Sequence, residues 1–333
     1  MKTFFDRVFG FSEEGGFDAT REVLLTKLRT EEKDDITGTG AIVFFDNIQA
    51  GRFETPTLAQ LRLPPLVKGS SSIGAQVCFK NIVGVAAALH IDPINDGAVF
   101  QAASGLNCLE FANPYGKPED GIGCYMSDHT QGPACAIACA GGTAFRNYCT
   151  GQTRHSQLNM MSTMEQLLTQ PPWFVTNGYV EAVSEEAMKA FAPTEALRDA
   201  FMVGVQYHCQ CTSSPEKRIV TQVYASSCAV GYSRKANPSS WQSLACLVLE
   251  AAYEATMWVA VSENLRRERF GLPPLPVFLT KVGGGVFRND DAWIIAAMKR
   301  AANAIAQRGY SLECHVVHYK RLDDKYDELV PVG

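Results

Sequence analysis

The sequence has no CxxC pair, no excess of basic residues and no uninterrupted apolar run long enough for a membrane helix. Its eleven cysteines are scattered over 333 residues, a pattern typical of reduced and mostly buried thiols. Lysine and arginine number 30 against 35 aspartates and glutamates, and the formal net charge of -5 argues against sequence-independent nucleic-acid binding. A membrane helix needs roughly 20 apolar residues. The richest stretch, Leu244 to Val261, is interrupted by Glu250 and Glu254.

The amino terminus also lacks the apolar stretch of a secretory signal, since Met1 to Arg7 carries both acid and base. Hydrophobic residues make up 46% of the chain and charged residues 20%, which is typical of a globular protein and excludes a disordered one. We therefore expect a cytoplasmic protein with neither nucleic acid nor a membrane as a partner.

Segments of strand and helix character alternate along most of the chain, which predicts an α/β sandwich with largely parallel strand order at its centre. Apolar residues from Trp241 to Ala252 recur at helical spacing and predict an amphipathic helix. The acidic run from Glu31 to Asp35 predicts a solvated loop. A boundary is expected at Gly69 to Ser72, where the composition is flexible.

The sharpest local signal is a strand that opens through three glycines into a helix. Val277 to Thr280 is typical of the strand, Gly283-Gly284-Gly285 of the turn, and Asp291 to Gln307 of the helix. Backbone N–H groups exposed at the positive end of a helix can cradle phosphate or pyrophosphate, and glycine permits the close approach. A plain strand-to-helix turn needs fewer glycines, so we favour anion binding. The sequence has neither a P-loop nor a GxGxxG pattern.

Two further segments carry polar side chains that could do chemistry. A buried strand ending near Ala102 is followed by Asn107, whose amide can bond sugar hydroxyls in both directions. A glycine-rich loop then supplies Glu119, Asp120 and Asp128 ahead of a small-residue helix. Carboxylates of this kind could stabilise an oxocarbenium-like centre and activate water. Taken alone, both segments favour ordinary solvated or satisfied loops.

Metal and nucleophile chemistry find little support in the sequence. His208-Cys209-Gln210-Cys211 places ligand types close together, but no second pair follows at zinc spacing. Buried thiols beside an ordinary histidine explain it better, so no metal is expected. No GxSxG or Cys-His signature indicates a nucleophilic serine or cysteine.

Taken together and in this order, the three segments resemble a macrodomain, the fold that binds ADP-ribose. Gln101-Ala-Ala-Ser104 resembles the family's strand-end loop, and Val282 to Phe287 resembles its phosphate loop. The run from Gln101 to Glu110, Pro118-Glu-Asp-Gly121 and Asp128 to Ala136 is similar to the arginine-specific macrodomain hydrolases typified by the effector MavL. The resemblance covers most of the chain, from about residue 40 to residue 319.

This resemblance implies a three-layer α/β/α sandwich with a mixed central sheet, formed by residues 71–333 behind an N-terminal extension of residues 1–70. It implies an ADP-ribosylarginine hydrolase that needs no cofactor and takes ADP-ribose or an ADP-ribosylated protein as its partner. Asp128 would activate water and Asp120 would contact the guanidinium, or the two roles are exchanged, with Glu119 as a third candidate. The implied ADP-ribose-binding residues are Ala103, Ser104, Asn107, Gln131, Gly283, Gly284, Gly285, Val286, Phe287 and Tyr319.

The sequence departs from the family at two places. Val85 stands where many macrodomains have the aspartate that reads adenine, which leaves Tyr319 as the candidate for stacking on the base. Gly105-Leu106 precedes Asn107 where the arginine-specific group has Gln-Phe. Two alternatives stay open: a non-catalytic ADP-ribose reader, and a hydrolase of another ADP-ribose linkage such as an ester, a serine linkage or a polymer.

Overall fold

The computed structural model describes residues 3–66, 75–111, 115–128 and 130–330. The boundary expected at Gly69 to Ser72 lies outside these residues, as does His129 of the acidic loop.

The centre of the molecule is a nine-stranded mixed sheet, beside which a separate two-stranded hairpin is formed. The strands of the described chain are β1 (Leu28–Asp35), β2 (Gly38–Phe45), β3 (Ile48–Glu54), β4 (Val77–Val83), β5 (Val99–Ala103), β6 (Trp173–Thr176), β7 (Tyr179–Ala182), β8 (Gly204–Gln210), β9 (Ile219–Ala225), β10 (Val277–Leu279) and β11 (Leu312–His318). The large sheet has the order β1-β2-β3-β8-β9-β5-β10-β11-β4, and β6 pairs with β7. Strands β9, β5, β10, β11 and β4 are parallel to one another, whereas β1, β2, β3 and β8 are joined by antiparallel pairing.

Helices cover both faces of this sheet. Those in the described residues are α1 (Phe4–Phe9), α2 (Phe17–Lys27), α3 (Leu58–Leu61), α4 (Ala86–Ile91), α5 (Gln131–Ala138), α6 (Ala140–Ala144), α7 (Ser162–Glu165), α8 (Glu185–Ala190), α9 (Glu195–Ala200), α10 (Gln242–Arg269) and α11 (Asp291–Gln307). Helices α10 and α11 pack together against one face, and α4, α5 and α6 pack on the other. The predicted α/β sandwich with a mixed central sheet is confirmed.

The long helix α10 is buried on nearly all sides rather than amphipathic. Residues Pro238–Arg269 are long and apolar enough to cross a membrane by composition alone, with a mean hydropathy of 1.5, but 89% of the most apolar window is buried inside the fold. The apolar composition of α10 is explained by its position in the core of the protein. Among its buried residues is Glu254, whose carboxylate accepts hydrogen bonds from Arg62 (2.6 Å) and Arg300 (2.7 Å).

Residues 28–54 form three strands of the large sheet. Strand β3 pairs with β8 and thereby adds β1, β2 and β3 to the parallel strands. The prediction that Glu31 to Asp35 form a solvated loop was wrong, because these residues belong to β1 and pair with Ile42 to Gly38 of β2. Their charge is explained by position: β1 is the edge strand of the sheet, and charged side chains discourage further edge pairing.

Replacing Glu254 by alanine should lower the free energy of unfolding by about 3 kcal/mol, because two guanidinium groups would lose their buried partner. Chemical denaturation followed by circular dichroism measures this loss. Glu268→Ala, an exposed position near the end of the same helix, is the control and should change stability by less than about 0.5 kcal/mol. Equal stability of the two variants would contradict a structural role for Glu254.

Candidate active site at the carboxyl ends of the parallel strands

Three polar loops meet at one edge of the sheet. They follow β5, β9 and β10, which are neighbours in the sheet and run parallel. The carboxyl ends of parallel strands in such sheets form crevices in which ligands bind. The loop after β5 begins at Ser104, the loop after β9 holds Ser226 and Ser227, and the loop after β10 contains the three glycines.

The glycine loop is held in shape by side chains beneath it. The hydroxyl of Tyr253, on α10, donates to the carbonyl of Thr280 (2.7 Å) and accepts from the N–H of Val282 (3.0 Å). The Asn289 amide donates to the carbonyl of Cys228 (2.8 Å) and also reaches that of Gly283 (3.3 Å). These contacts fix both ends of the loop before any ligand arrives.

Gly283 is required by both its dihedral angle and its surroundings. Its φ is +73°, and a Cβ built there would lie 2.1 Å from the Ser227 hydroxyl oxygen and 2.5 Å from the Asn289 amide nitrogen. No other residue fits without moving the loop. Gly285 differs, because a Cβ there would meet nothing within 4 Å.

Several backbone N–H groups of this loop have no acceptor in the part of the chain that the structure describes. Gly284 and Arg288 donate within the loop, to Lys281 and Gly285. The remaining donors belong to Gly283, Gly285, Val286 and Phe287. Val286 is 65% exposed, so this part of the loop is open to solvent. Clustered donors of this kind form a concave anion site.

Tyr179, at the start of β7, lies beside the glycine loop. The Tyr179 ring lies 5.7 Å from that of Phe287, between ring centroids. Burial raises the pKa of Tyr179 to about 12, and the nearby charges of Tyr232, Glu110 and Asp128 add to the shift.

The acidic loop runs into helix α5, whose Gln131 accepts a hydrogen bond from the N–H of Ala103 at the end of β5 (3.0 Å). Strand β5 pairs with β10, which the glycine loop follows, so the two loops lie at the ends of neighbouring strands.

Asp128 lies two residues before Thr130, the N-cap of helix α5. Its Oδ1 accepts a hydrogen bond from the N–H of Thr130 at 2.8 Å, so it shapes the turn that enters the helix without capping it. The side chain is half-buried, which leaves part of the carboxylate accessible.

The other two predicted carboxylates have partners of their own. Glu119 accepts from the N–H of Arg154 with both oxygens, at 2.9 and 3.1 Å. Asp120 is exposed, accepts from the N–H of Lys117 (3.1 Å) and has an oxygen 3.8 Å from the Lys117 amine. The structure thus gives Glu119 a role in holding loops together and leaves Asp120 at the surface.

Most of the predicted polar residues around the end of β5 make hydrogen bonds within the protein. Gln131 accepts from the N–H of Ala103 (3.0 Å) and donates to the carbonyl of Gln101 (2.8 Å), which ties α5 to the strand end. The Ser104 N–H donates to Ala225 at 3.0 Å. Asn107 is fully buried, donating to Gln157 (2.8 Å) and accepting from the N–H of Leu109 (3.1 Å). Its contact with a ribose stays a prediction.

Tyr319 lies at the far side of the same edge. It directly follows β11 and is 63% exposed, and Val85, 48% exposed, follows the neighbouring strand β4. The Lys320 amine lies over the Tyr319 ring, 4.9 Å from its centroid, and the predicted stacking of Tyr319 on the base stays a prediction.

Glu110 is the residue that sequence reasoning passed over. It is 6% exposed, and its Oε1 has no hydrogen-bond partner among the described residues. Burial raises its pKa to about 8, the positive charge of Arg146 opposes this shift, and the charge of Asp128 adds to it. A Cβ on Gly132 would lie 2.5 Å from Glu110 Oε2, so the carboxyl sits directly against the start of α5. The sequence shows Glu110 at the end of the run Asn107-Cys-Leu-Glu110, but it does not indicate that the side chain is buried.

Histidine, cysteine, aspartate and glutamate do not gather into groups of three or more that could hold a metal ion anywhere in the described ranges. The arrangement consists of backbone donors for an anion on one side and two carboxyls, one of them buried, on the other. Such a site can bind a phosphorylated sugar and place a carboxylate beside its reactive carbon.

The sequence matches no protein-family model. It also matches no curated protein. Among solved structures, the chain aligns with the poly(ADP-ribose) glycohydrolase of Deinococcus radiodurans in complex with ADP-ribose, at 13% identity and a TM-score of 0.43, over 83% of this chain and 92% of that one. It aligns with a macrodomain of Oceanobacillus iheyensis at 11% identity and a TM-score of 0.37, over 84% and 96%.

A third similar structure is the poly(ADP-ribose) glycohydrolase of Thermomonospora curvata, at 14% identity and a TM-score of 0.39, over 91% of this chain and 90% of that one. With identities of 11% to 14% and TM-scores no higher than 0.43, these likenesses carry no functional assignment for this chain.

The raised pKa of Glu110 predicts a pH dependence of stability. In the unfolded chain this carboxyl ionises near its ordinary value of 4.5, and in the folded chain near 8. The stabilisation that the neutral form contributes is complete below pH 4.5 and is lost as the pH rises through 8. Glu110→Gln, which stays neutral, should therefore lose less thermal stability than the wild type between pH of about 5 and about 8. Calorimetry measures both curves, with the exposed Glu22→Gln as control. Parallel curves would contradict the burial of an ionisable Glu110.

Proposed function

We propose that the protein is an ADP-ribosyl hydrolase that removes mono-ADP-ribose from arginine side chains. The observation that carries the proposal is the group of glycine-loop amides that have no acceptor among the described residues. They follow β10, and the neighbouring strand β5 is bound at its end by Gln131 of α5, the helix that the acidic loop enters after Asp128. The arginine linkage rests on the sequence resemblance of the run from Gln101 to Ala136.

In this reaction the pyrophosphate of ADP-ribose accepts hydrogen bonds from the N–H groups of Gly285, Val286 and Phe287. The distal ribose then lies toward Tyr179 and the acidic loop. Arginine modified in this way keeps a cationic guanidinium, which a carboxylate can orient. The exposed carboxylate of Asp120 is the candidate for that contact at the mouth of the site.

Asp128 is the base in this proposal. A water oxygen forms a bond to the anomeric carbon while the bond from that carbon to the guanidino nitrogen breaks, with its electron pair going to nitrogen. Asp128 takes the proton from water and returns it to the departing nitrogen, so arginine leaves as a guanidinium. Negative charge from Asp128 also stabilises the positive charge that develops on the ribose.

Asp128→Asn tests the assignment, because an asparagine oxygen can still accept from the N–H of Thr130 but is not a base that takes a proton from water. We expect release of ADP-ribose from an arginine-modified protein to fall by at least about 100-fold. Binding of free ADP-ribose should change by less than about threefold, since the glycine loop is untouched. Mass spectrometry and calorimetry measure the two quantities. The exposed Asp18→Asn is the matched control, and full turnover in Asp128→Asn would refute the role of Asp128.

The glycine loop is tested by a pair of substitutions at Gly285, where a side chain meets no protein atom. Glutamate there should repel the pyrophosphate and weaken ADP-ribose binding by at least about tenfold relative to glutamine of the same size. Both variants should keep the wild-type melting temperature. Equal affinities for Gly285→Glu and Gly285→Gln would place the anion elsewhere.

A further inference from the structure

The amino-terminal segment packs directly beneath the acidic loop. Helices α1 and α2 share one apolar cluster with this loop and with the turn that follows α6, separate from the core under α10. The members that join the two parts are Phe4, Phe5, Phe9, Leu24, Ile122, Tyr125 and Tyr148. The backbone N–H of Phe4 also lies 3.0 Å from the sulfur of Met126.

One carboxylate of this segment holds the loop by its backbone. Glu13, between α1 and α2, accepts hydrogen bonds from the N–H of Ile122 at 2.9 Å and the N–H of Gly123 at 2.6 Å. The Tyr148 hydroxyl donates to the same carboxylate at 2.6 Å. Glu13 is half-buried, so these three charge-assisted hydrogen bonds are partly shielded from water.

The glycines of the acidic loop are explained by this contact. A Cβ on Gly123 would lie 2.6 Å from Glu13 Oε2, and one on Gly121 would lie 3.0 Å from it. Gly121 also has a φ of +75°. The spacing Asp120-Gly-Ile-Gly123 therefore lets a carboxylate from a distant part of the chain reach two consecutive amides.

The two amides that Glu13 holds, those of Ile122 and Gly123, lie along the chain between Asp120 and Asp128. Gly123 opens the 3-10 turn Gly123–Ser127, and Asp128 follows that turn directly. Inside the turn, the Tyr125 hydroxyl accepts from the N–H of Glu110 at 3.1 Å, which connects the turn to the buried carboxyl. A shift of the turn would move Asp128 and change the surroundings of Glu110 together.

We propose that Glu13 is a positioning residue for hydrolysis: it fixes the acidic loop so that Asp128 is held at the bound ribose. The catalytic consequence rests on the proposed function, whereas the mechanical claim that Glu13 fixes the loop does not. The amino-terminal segment is by this account part of the active-site architecture.

Two substitutions at Glu13 test the proposal in the full-length protein. Glu13→Gln keeps the shape of the side chain but presents an N–H group to one of the two amides, and Glu13→Ala removes all three hydrogen bonds. Glu14→Gln is the matched control, because Glu14 is the exposed neighbour and its side chain has no hydrogen bond or ion pair within the described chain. Tyr148→Phe removes only the hydrogen bond that the Tyr148 hydroxyl donates to Glu13. Thermal melting confirms which variants are folded.

The expected result has a mechanical and a kinetic part. Hydrogen exchange should become faster in peptides that cover Ile122 and Gly123 in both Glu13 variants, while peptides of the glycine loop exchange as in the wild type. The turnover number kcat should fall by about 10-fold to 100-fold in Glu13→Ala and less in Glu13→Gln. KM and the affinity for ADP-ribose should stay within about twofold, a split that general destabilisation would not produce.

Unchanged exchange in the folded Glu13→Gln variant would overturn the proposal, and so would faster exchange with an unchanged kcat. If the wild type releases no ADP-ribose from arginine, the proposed function fails. The exchange rates then still decide whether Glu13 holds the loop, so the two failures are distinguishable.

Discussion

The site depends on keeping backbone N–H groups unpaired at the carboxyl ends of parallel strands. These donors lie in an exposed loop, where water can satisfy them, so they stay turned toward a ligand only if other contacts hold the loop in shape. Here the Tyr253 hydroxyl and the Asn289 amide occupy the polar groups at the two ends of the glycine loop. The donors between them remain free for an anion. Helix α10 is therefore both the centre of the core and, through Tyr253, a support of the glycine loop.

The acidic side of the site is organised by the same means, a side chain that satisfies backbone groups of a loop. Asp128 accepts from the N–H of Thr130 ahead of α5, Gln131 connects that helix to β5, and Glu13 accepts from two amides of the loop before it. Each of these contacts joins segments far apart in sequence or at the boundary of two elements. The catalytic candidates are thus placed by contacts that run from Glu13 near the amino terminus to the start of α5.

Local sequence patterns predicted the sandwich, the glycine loop and the helix Asp291–Gln307 correctly, because periodicity and turn composition are local properties. They failed for Glu31 to Asp35, where pairing with β2 forms a strand that composition alone disfavours. Tyr179 and Glu13 were not predicted because their importance comes from contacts across 108 and 109 residues of sequence, with Phe287 and Ile122. Glu110 was in view, but its burial depends on tertiary packing. The engagement of Glu119 by the N–H of Arg154, 35 residues away in sequence, is likewise absent from any local pattern.

The central claim is that this site cleaves the bond between ADP-ribose and arginine. The most direct measurement incubates the purified wild-type protein with substrates that carry ADP-ribose on arginine, serine or glutamate, and quantifies released ADP-ribose by mass spectrometry. The account predicts release from the arginine-linked substrate alone. Release from serine or glutamate but not arginine would contradict the assigned linkage, and binding of ADP-ribose without release from any substrate would make the protein a reader.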